Sequence, residues 1–382
     1  MAKRTWSLVA TALVLLCAPG QVAAAPAEPQ VQDALDRMVE QGVPGVLYRH
    51  SEPGSETVLR SGVADLRTGA PVPQRGRWRV ASLTKSVTAT IVLQLVHENR
   101  LGLDQPLAEV LPDVVPGDER ITVRNLLQHT SGLFDYAQAP EFRFPDDYVH
   151  RPFAPRQLVD LAVAHGPVAE PGQQWSYSNT NYIVLGMIVE ELTGEPLSAV
   201  FQHRVLGPAG MRQSYLPVHY PLINGPHATG HHVLPEQTGD PTRYPLTELD
   251  PSFAWASYGM VSGAADMNRF YRALFRGELL PRPLVDEMLR AVPGGDPVFP
   301  DYGLGLENIE LTCGVTLWGH TGSIPGYSSY AFSTADGRQQ VSMSLNVFML
   351  GERAVPIIYD AADAINQAVC HQPYPQPPVP AA

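Results

Sequence analysis

Lysine is nearly absent from this 382-residue chain: among 26 Lys and Arg side chains, the only lysines are Lys3 and Lys85. Surface charge needs no particular base, and here arginine supplies it. A general base does need lysine, because a desolvated ammonium can lose its proton whereas a guanidinium keeps it. Lys85 therefore reads as a chemical group and not as a solvated charge. Positive charge as a whole is also in deficit, with a net charge of −12. Removal of Lys3 and Arg4 with an export segment makes it two units more negative, which disfavours nucleic acid and anionic membrane surfaces as partners. A small or neutral substrate fits this balance.

Long hydrophobic runs are missing except near the start. Lys3 and Arg4, the apolar stretch from Leu8 to Cys17 and the small residues Ala23, Ala24 and Ala25 form an export signal over residues 1–25, with the mature chain beginning near Ala25 or Pro26. Val14, Leu15 and Leu16 precede Cys17, so the small residue that lipid attachment requires is lacking. No other run approaches the roughly 20 apolar residues that span a bilayer. The expectation is a secreted, unanchored protein that acts as a monomer. Cysteine is scarce as well: after cleavage only Cys313 and Cys370 remain, and two thiols in an oxidising compartment pair as a disulfide unless both stay buried and free.

Two catalytic signatures are absent. No G-x-S-x-G occurs, which disfavours an α/β-hydrolase, and no H-E-x-x-H occurs. His227, His231 and His232 have ligand-like spacing, but Gly225–His232 reads as an exposed loop without a nearby cysteine. No metal and no cofactor is expected.

The roughly 357 mature residues exceed what one core usually holds, which predicts two closely packed lobes. Val31, Leu35, Met38 and Val39 mark an amphipathic helix ended by Gly42 and Pro44, and short alternating runs follow from Val46 to Val63. Leu83, Val87, Ile91 and Leu95 recur every four residues as one apolar stripe of a buried helix ending near Asn99. Residues 104–290 read as a mostly helical lobe with its clearest helix at Tyr182–Leu192. Strands return after Asp301, at Val315–Gly319, Tyr330–Phe332 and Val341–Val347, with a hairpin turn at Asp336-Gly337. A helix from Val355 to Val369 and a proline-rich tail over 373–382 close the chain. The fold class is α/β (α+β): residues 26–103 and 291–372, from both chain ends, build an antiparallel sheet flanked by helices, and the middle forms the second lobe.

Three short elements carry chemistry. In Ser82-Leu83-Thr84-Lys85 the i, i+3 spacing puts both side chains on one face at a helix start, where free N–H groups favour an alkoxide and an oxyanion. Such a serine is activated without histidine, although a plain helix cap has the same spelling. Tyr177-Ser178-Asn179 stands just before the Tyr182 helix. His320-Thr321-Gly322 follows an apolar strand, where glycine lets a substrate lie close to the backbone.

In this order, about 95 and 143 residues apart, the three elements resemble the S-x-x-K, Y-x-N and H-T-G motifs of the serine β-lactamase and penicillin-binding protein superfamily. The likeness covers nearly the whole mature chain, through Gly62–Asp65, Ile121–Arg124, His129–Leu133, Tyr302–Leu306 and the two cysteines. It is nearest to the secreted D-Ala-D-Ala carboxypeptidase/transpeptidases of actinomycetes. The resemblance implies a β-lactamase/transpeptidase-like fold, peptide substrates of the D-Ala-D-Ala type, and acylation by β-lactams. It implies that Ser82 attacks, that Lys85 or Tyr177 takes its proton, that Tyr177 protonates the leaving amine, and that Asn179, Thr321 and Gly322 hold the substrate. The backbone N–H groups of Ser82 and Ser323 would form the oxyanion hole. His320 would polarise the cleft and orient Tyr177, Trp255 and Phe134 would wall the pocket, and Cys313 and Cys370 fall where relatives are disulfide-bonded.

Two positions depart from that pattern. Glu307 stands where relatives carry an arginine that grips the substrate carboxylate, and Pro325 where they carry an amide. A carboxylate facing a carboxylate is repulsive by about 1 kcal/mol at 4 Å in water, and by more in a drier cleft. Glu307 therefore opens the alternatives of a D-aminopeptidase, esterase or β-lactamase on the same scaffold, unless it turns to solvent or another arginine grips the substrate. A non-catalytic sensor of wall peptides or β-lactams is the alternative from another class. It conflicts with the retention of both Ser82 and Lys85.

Overall fold

The computed structural model describes residues 29–116, 118–233, 243–295, 297–349 and 351–376. The export segment and most of the proline-rich tail lie outside them. Fourteen strands are described: β1 (Gly45–Glu52), β2 (Ser55–Asp65), β3 (Ala70–Pro71), β4 (Arg77–Arg79), β5 (His231–Val233), β6 (Arg243–Pro245), β7 (Val261–Gly263), β8 (Val292–Pro293), β9 (Asp301–Tyr302), β10 (Glu307–Glu310), β11 (Thr316–Ile324), β12 (Tyr327–Thr334), β13 (Gln340–Leu345) and β14 (Val347–Phe348). Nine of them form one antiparallel sheet in the order β3-β2-β1-β13-β12-β11-β10-β9-β8. Both chain ends meet at its centre, where β1 pairs with β13, and the Asp336-Gly337 turn joins β12 to β13 as expected.

Alternation along β13 decides which face packs where. Val341, Met343 and Leu345 join the core formed with helices Pro29–Glu40 and Ala354–Cys370, through residues such as Leu35, Met38, Ile357 and Ile365. The intervening serines face helix Ala264–Phe275, and Ser342 Oγ donates to Asn268 Oδ1 at 2.5 Å. All six residues of β13 are buried, because helices cover both faces where an antiparallel sheet commonly leaves one wet. Helix Ala264–Phe275 packs on β1, β12 and β13, although it belongs to the segment assigned to the helical lobe. Strands β5, β6 and β7 also fall in that segment. Sequence order and lobe membership therefore part company here.

Helix Leu83–His97 is buried, as the Leu83–Leu95 stripe leads one to expect, and the burial extends beyond that stripe. Twelve of its 15 residues are buried, Thr84, Lys85, Thr88 and Thr90 among them. It lies against β11 on one side and against helices Asn179–Thr193 and Trp255–Tyr258 on the other. Its threonines satisfy their hydroxyls locally, on Ala81 O, Ala256 O and Ser86 O at 2.6 to 2.7 Å, which removes the cost of burying them.

Cys313, in the turn before β11, is bonded to Cys370 at the end of the last helix, 57 residues away. The chain-entropy model assigns a loop of that size roughly 4 kcal/mol. Among the described residues no helix is long and apolar enough to cross a membrane.

Candidate active site

Ser82 sits in the turn that opens helix Leu83–His97, after Ala81 in left-handed conformation (φ 52°). Its own backbone is helical, so its side chain makes no cap bond to the helix and Oγ is left to the cleft. Lys85, one turn on, is fully buried. Its Nζ lies 3.0 Å from Ser82 Oγ, 2.7 Å from Asn179 Oδ1 and 3.2 Å from Ser257 O. The last two oxygens only accept, so a neutral amine spends both N–H bonds on them and turns its lone pair to the Ser82 hydroxyl. Burial pulls the Lys85 ammonium down to about 7, against the opposing pull of Asp135 and Glu307. Near neutral pH a large share of the lysine is therefore a free base.

Tyr177 donates its hydroxyl to Ser82 Oγ at 3.0 Å. Burial and the nearby Glu307 push the phenol well above its ordinary range, so it keeps its proton. Asn179 is the first residue of helix Asn179–Thr193. Its amide is oriented by Asp135, whose two carboxylate oxygens accept from Asn179 N and Nδ2 at 3.1 Å each. Ser257 Oγ donates to Asn179 Oδ1 at 2.8 Å. Asp135 is a residue that sequence reasoning did not assign: burial raises its carboxyl against the pull of its backbone donors and of Lys85. His129 is a second. It is fully buried in left-handed conformation (φ 59°), its Nδ1 accepts from Ser178 N at 3.1 Å, and its ring lies 4.3 Å from that of Tyr177. The only trace was the stretch His129–Leu133, which contains His129 and stops two residues short of Asp135, since nothing local says what a loop residue will face.

Strand β11 brings in the third element, with His320, Thr321 and Gly322 inside the strand and not after it. A Cβ on Gly322 would stand 2.9 Å from Ser82 N and 2.7 Å from Val80 O. Glycine is thus required by the approach of the nucleophile's own backbone. The Thr321 N–H points away from β12, to Glu307 Oε2 at 2.8 Å. Because N–H directions alternate along a strand, the Ser323 N–H points the same way, beyond the end of β10 and into the cleft. Ser82 and Ser323 thus line one cleft, where the resemblance expects the oxyanion hole.

His320 meets Tyr177 through a T-shaped ring contact at 6.5 Å and not through a hydrogen bond. Its Nδ1 meets only acceptors, Thr321 O at 2.5 Å and Glu307 Oε1 at 3.4 Å, so Nδ1 carries the proton and Nε2 accepts from Tyr302 at 2.9 Å. Burial holds the imidazole neutral, down to about 3. It fixes Tyr302 and Glu307, and the hydroxyl of Tyr177 is bonded to Ser82 instead.

The pocket walls are corrected. A cleft of about 440 Å³ opens over Ser82, Asn179, Thr321 and Ser323, walled by Tyr148, Trp175, Tyr258 and Tyr302. Trp255 is 5% exposed and its ring packs against Gly186 in the helical core. Phe134 stacks on His165 at 4.5 Å, and only its carbonyl serves the site, accepting from Ser178 and Thr180. Both carry the right chemistry on the wrong side of their backbones. Glu307 does not turn to solvent: its side chain is 12% exposed and it lines the cleft. The histidine segment read as a loop contains β5, in which His231 is buried and His232 stacks on Phe348 at 4.8 Å in the cleft wall. No cluster of three ligating side chains occurs among the described residues.

Burial depresses the imidazoles of His129, His232 (to about 4) and His320 (to about 3). Between their ordinary value of 6.5 and those lower values the unfolded chain binds more protons, so stability is lost as pH falls through that window. Burial lowers His231 as well, and Asp135, with its raised carboxyl, acts in the opposite sense, one group against four. The melting temperature is expected to fall steadily from pH 7 to pH 5, where ordinary carboxylates stay ionised. A flat profile in calorimetry would contradict the neutral, buried imidazoles.

The comparisons with known proteins agree with this geometry. The Beta-lactamase family profile matches residues 31–364. Penicillin-binding protein 4* of Bacillus subtilis is 26% identical over 88% of this chain and 72% of its own length. Against other curated relatives the chain spans 52 to 62% of their length. A D-stereospecific amidohydrolase from a Streptomyces species is 33% identical with a TM-score of 0.82, covering 91% of this chain and 100% of that one. D-amino acid amidase from Ochrobactrum anthropi, solved with D-phenylalanine, is 29% identical with a TM-score of 0.80 over 89% and 97%. With its Ser82–Lys85–Tyr177 centre, the chain belongs to the Beta-lactamase family and is a serine hydrolase of the β-lactamase and penicillin-binding protein superfamily.

Proposed function

We propose that this protein hydrolyses amides of D-configured amino acids whose α-amine is free, in the manner of a D-amino acid amidase or D-aminopeptidase. The observation that carries the reading is Glu307, a largely buried carboxylate on the cleft wall beside the oxyanion hole. It repels a substrate's terminal carboxylate and attracts an ammonium. Likeness to a D-stereospecific amidohydrolase and a D-amino acid amidase supports both the amide and its configuration.

In the proposed reaction Ser82 Oγ attacks the amide carbonyl and its proton passes to neutral Lys85. The developing oxyanion is held by Ser82 N–H and Ser323 N–H, groups fixed before the reaction begins. Tyr177 protonates the leaving nitrogen and recovers a proton from Lys85, so the C–N bond breaks as the acyl-serine forms. Water, activated by the same lysine, then releases the acid and returns the proton to Ser82.

D-alanyl-D-alanine carboxypeptidase/transpeptidase activity, with acylation by β-lactams, is the second reading. Likeness to penicillin-binding protein 4* over 88% of the chain favours it. It requires a cation for the terminal carboxylate, and among the described cleft residues Arg143 is the arginine present, exposed to solvent. Secretion after cleavage near Ala25 belongs to the same proposal, supported by residues 1–25 and by the Cys313–Cys370 disulfide.

Purified mature chain and its Ser82→Ala variant should be compared on D-phenylalanine amide and on an Nα-acylated peptide ending in D-Ala-D-Ala. Ammonia release that disappears in Ser82→Ala, with little D-alanine release, is the expected result. D-Alanine release as the dominant activity would overturn the amidase reading in favour of the carboxypeptidase.

A further inference from the structure

We propose that a second concavity, at the far end of the β4–β7 pair from Ser82, binds a phosphate-bearing anion, either a short polyphosphate or a segment of a phosphodiester polymer. Strand β4 runs toward Ser82, and its partner β7 follows Ser257, whose carbonyl contacts Lys85. The opposite ends of this pair open on a cavity of about 720 Å³. Five arginines line it: Arg49 from β1, Arg75 from the turn before β4, Arg212, and Arg269 and Arg272 from helix Ala264–Phe275.

Two carboxylates share the cavity and both are already committed. Glu56 holds Arg49 Nη1 at 2.6 Å. Asp266, wholly buried, holds Arg269 at 2.5 Å and also accepts from Gln213 N and Ser214 Oγ. Arg75, Arg212 and Arg272 take part in no ion pair among the described residues. Three uncompensated guanidinium groups thus face one concavity in a chain of net charge −12, and their mutual repulsion is relieved by a multiply charged anion.

Two further observations point the same way. Arg49 is 7% exposed, and its Nε has no hydrogen-bond partner. The first turn of the 12-residue helix Ala264–Phe275 lines the cavity through Ala264 and Ala265, and its N-cap, Gly263, offers no side-chain cap. Uncapped N–H groups at a helix start favour oxyanions. The forked guanidinium pairs with phosphate through two parallel N–H bonds, and the cavity has room for more than one phosphate. The negative remainder of the surface repels a long duplex, which leaves a short chain or a single polymer strand.

The test is calorimetric titration of the mature protein with sodium tripolyphosphate at low salt. Saturable binding is expected, weakened at least about tenfold in the triple variant Arg75→Gln/Arg212→Gln/Arg272→Gln and severalfold in Arg75→Gln alone, with a shallower salt dependence. Turnover of D-phenylalanine amide and the melting temperature should stay near those of the parent protein. Arg156→Gln/Arg282→Gln, which removes two exposed arginines paired along their own helices, should leave binding unchanged. Absence of binding to the parent protein would overturn the site. So would binding that survives the triple variant, or a loss as large in the Arg156/Arg282 control. Competition by poly(glycerol phosphate) separates the sources: a tighter polymer assigns the site to a phosphodiester chain, and a weaker one to free polyphosphate.

Discussion

Lys85→Arg is expected to lower kcat/KM by roughly 10³ or more at every pH between 6 and 9, although the positive charge is retained. Positioned proton transfer contributes about 10²–10⁴, and a guanidinium cannot lose its proton to take that of Ser82. The site is also too tight for the larger group, because Lys85 is fully buried and Nζ is held by Ser82, Asn179 and Ser257 at 2.7 to 3.2 Å. In the parent enzyme the acylation rate should rise with pH through about 7, where burial places the lysine. The neutral amine is the active form, so one unit below that midpoint the rate should be about a tenth of its plateau. Covalent trapping of Ser82, followed by mass spectrometry across pH, reads the acylation step directly. An active Lys85→Arg enzyme that keeps the parent's pH midpoint would refute the assignment of the base.

Glu307→Arg is expected to reverse substrate preference. Opposite unit charges about 4 Å apart interact by roughly 4 kcal/mol at the effective dielectric of a partly dry cleft, close to a factor of 10³. Turnover of D-phenylalanine amide should fall by about 10²–10³, while D-alanine release from an acylated D-Ala-D-Ala peptide should gain. Glu307→Gln separates charge from architecture, because a carboxamide oxygen can still accept from Thr321 N–H, as Glu307 Oε2 does at 2.8 Å. The glutamine variant should lose amide turnover without gaining on the carboxylate-terminated peptide. If it matches the parent on both substrates, Glu307 is a scaffold residue for Thr321 and His320 and recognises no amine.

Ser82, Lys85, Tyr177 and Asn179 are brought together in the structure, and each is bound to a local element that the sequence marks. Ser82 and Lys85 share one helical turn, and Asn179 starts a helix that periodicity marks. Their separation in sequence could be read, and their meeting at 2.7 to 3.0 Å is made by the packing of helix Leu83–His97 against helix Asn179–Thr193. The residues assigned to the wrong surroundings are the ones whose direction depends on packing. Trp255 and Phe134 are aromatic residues near the cleft in sequence, yet the turn that places Tyr258 in the wall puts Trp255 into the helical core. His320 alternates with its strand neighbours, and a shift of one position on a strand changes sides.

The sequence by itself pointed to the chemistry: Lys85 as the one lysine left after the export segment, three motif elements in order, and a sheet drawn from both chain ends. These are set by residue identity and short-range periodicity, which need no knowledge of the partner surface. Only the tertiary structure decided that Lys85 is fully desolvated, that Asp135 and His129 brace Asn179 and Tyr177, that His320 is neutral, and that Glu307 lines the cleft. Each of those properties depends on what stands opposite a side chain across tens or hundreds of residues, and burial, proton affinity and direction exist only once that opposite surface is in place.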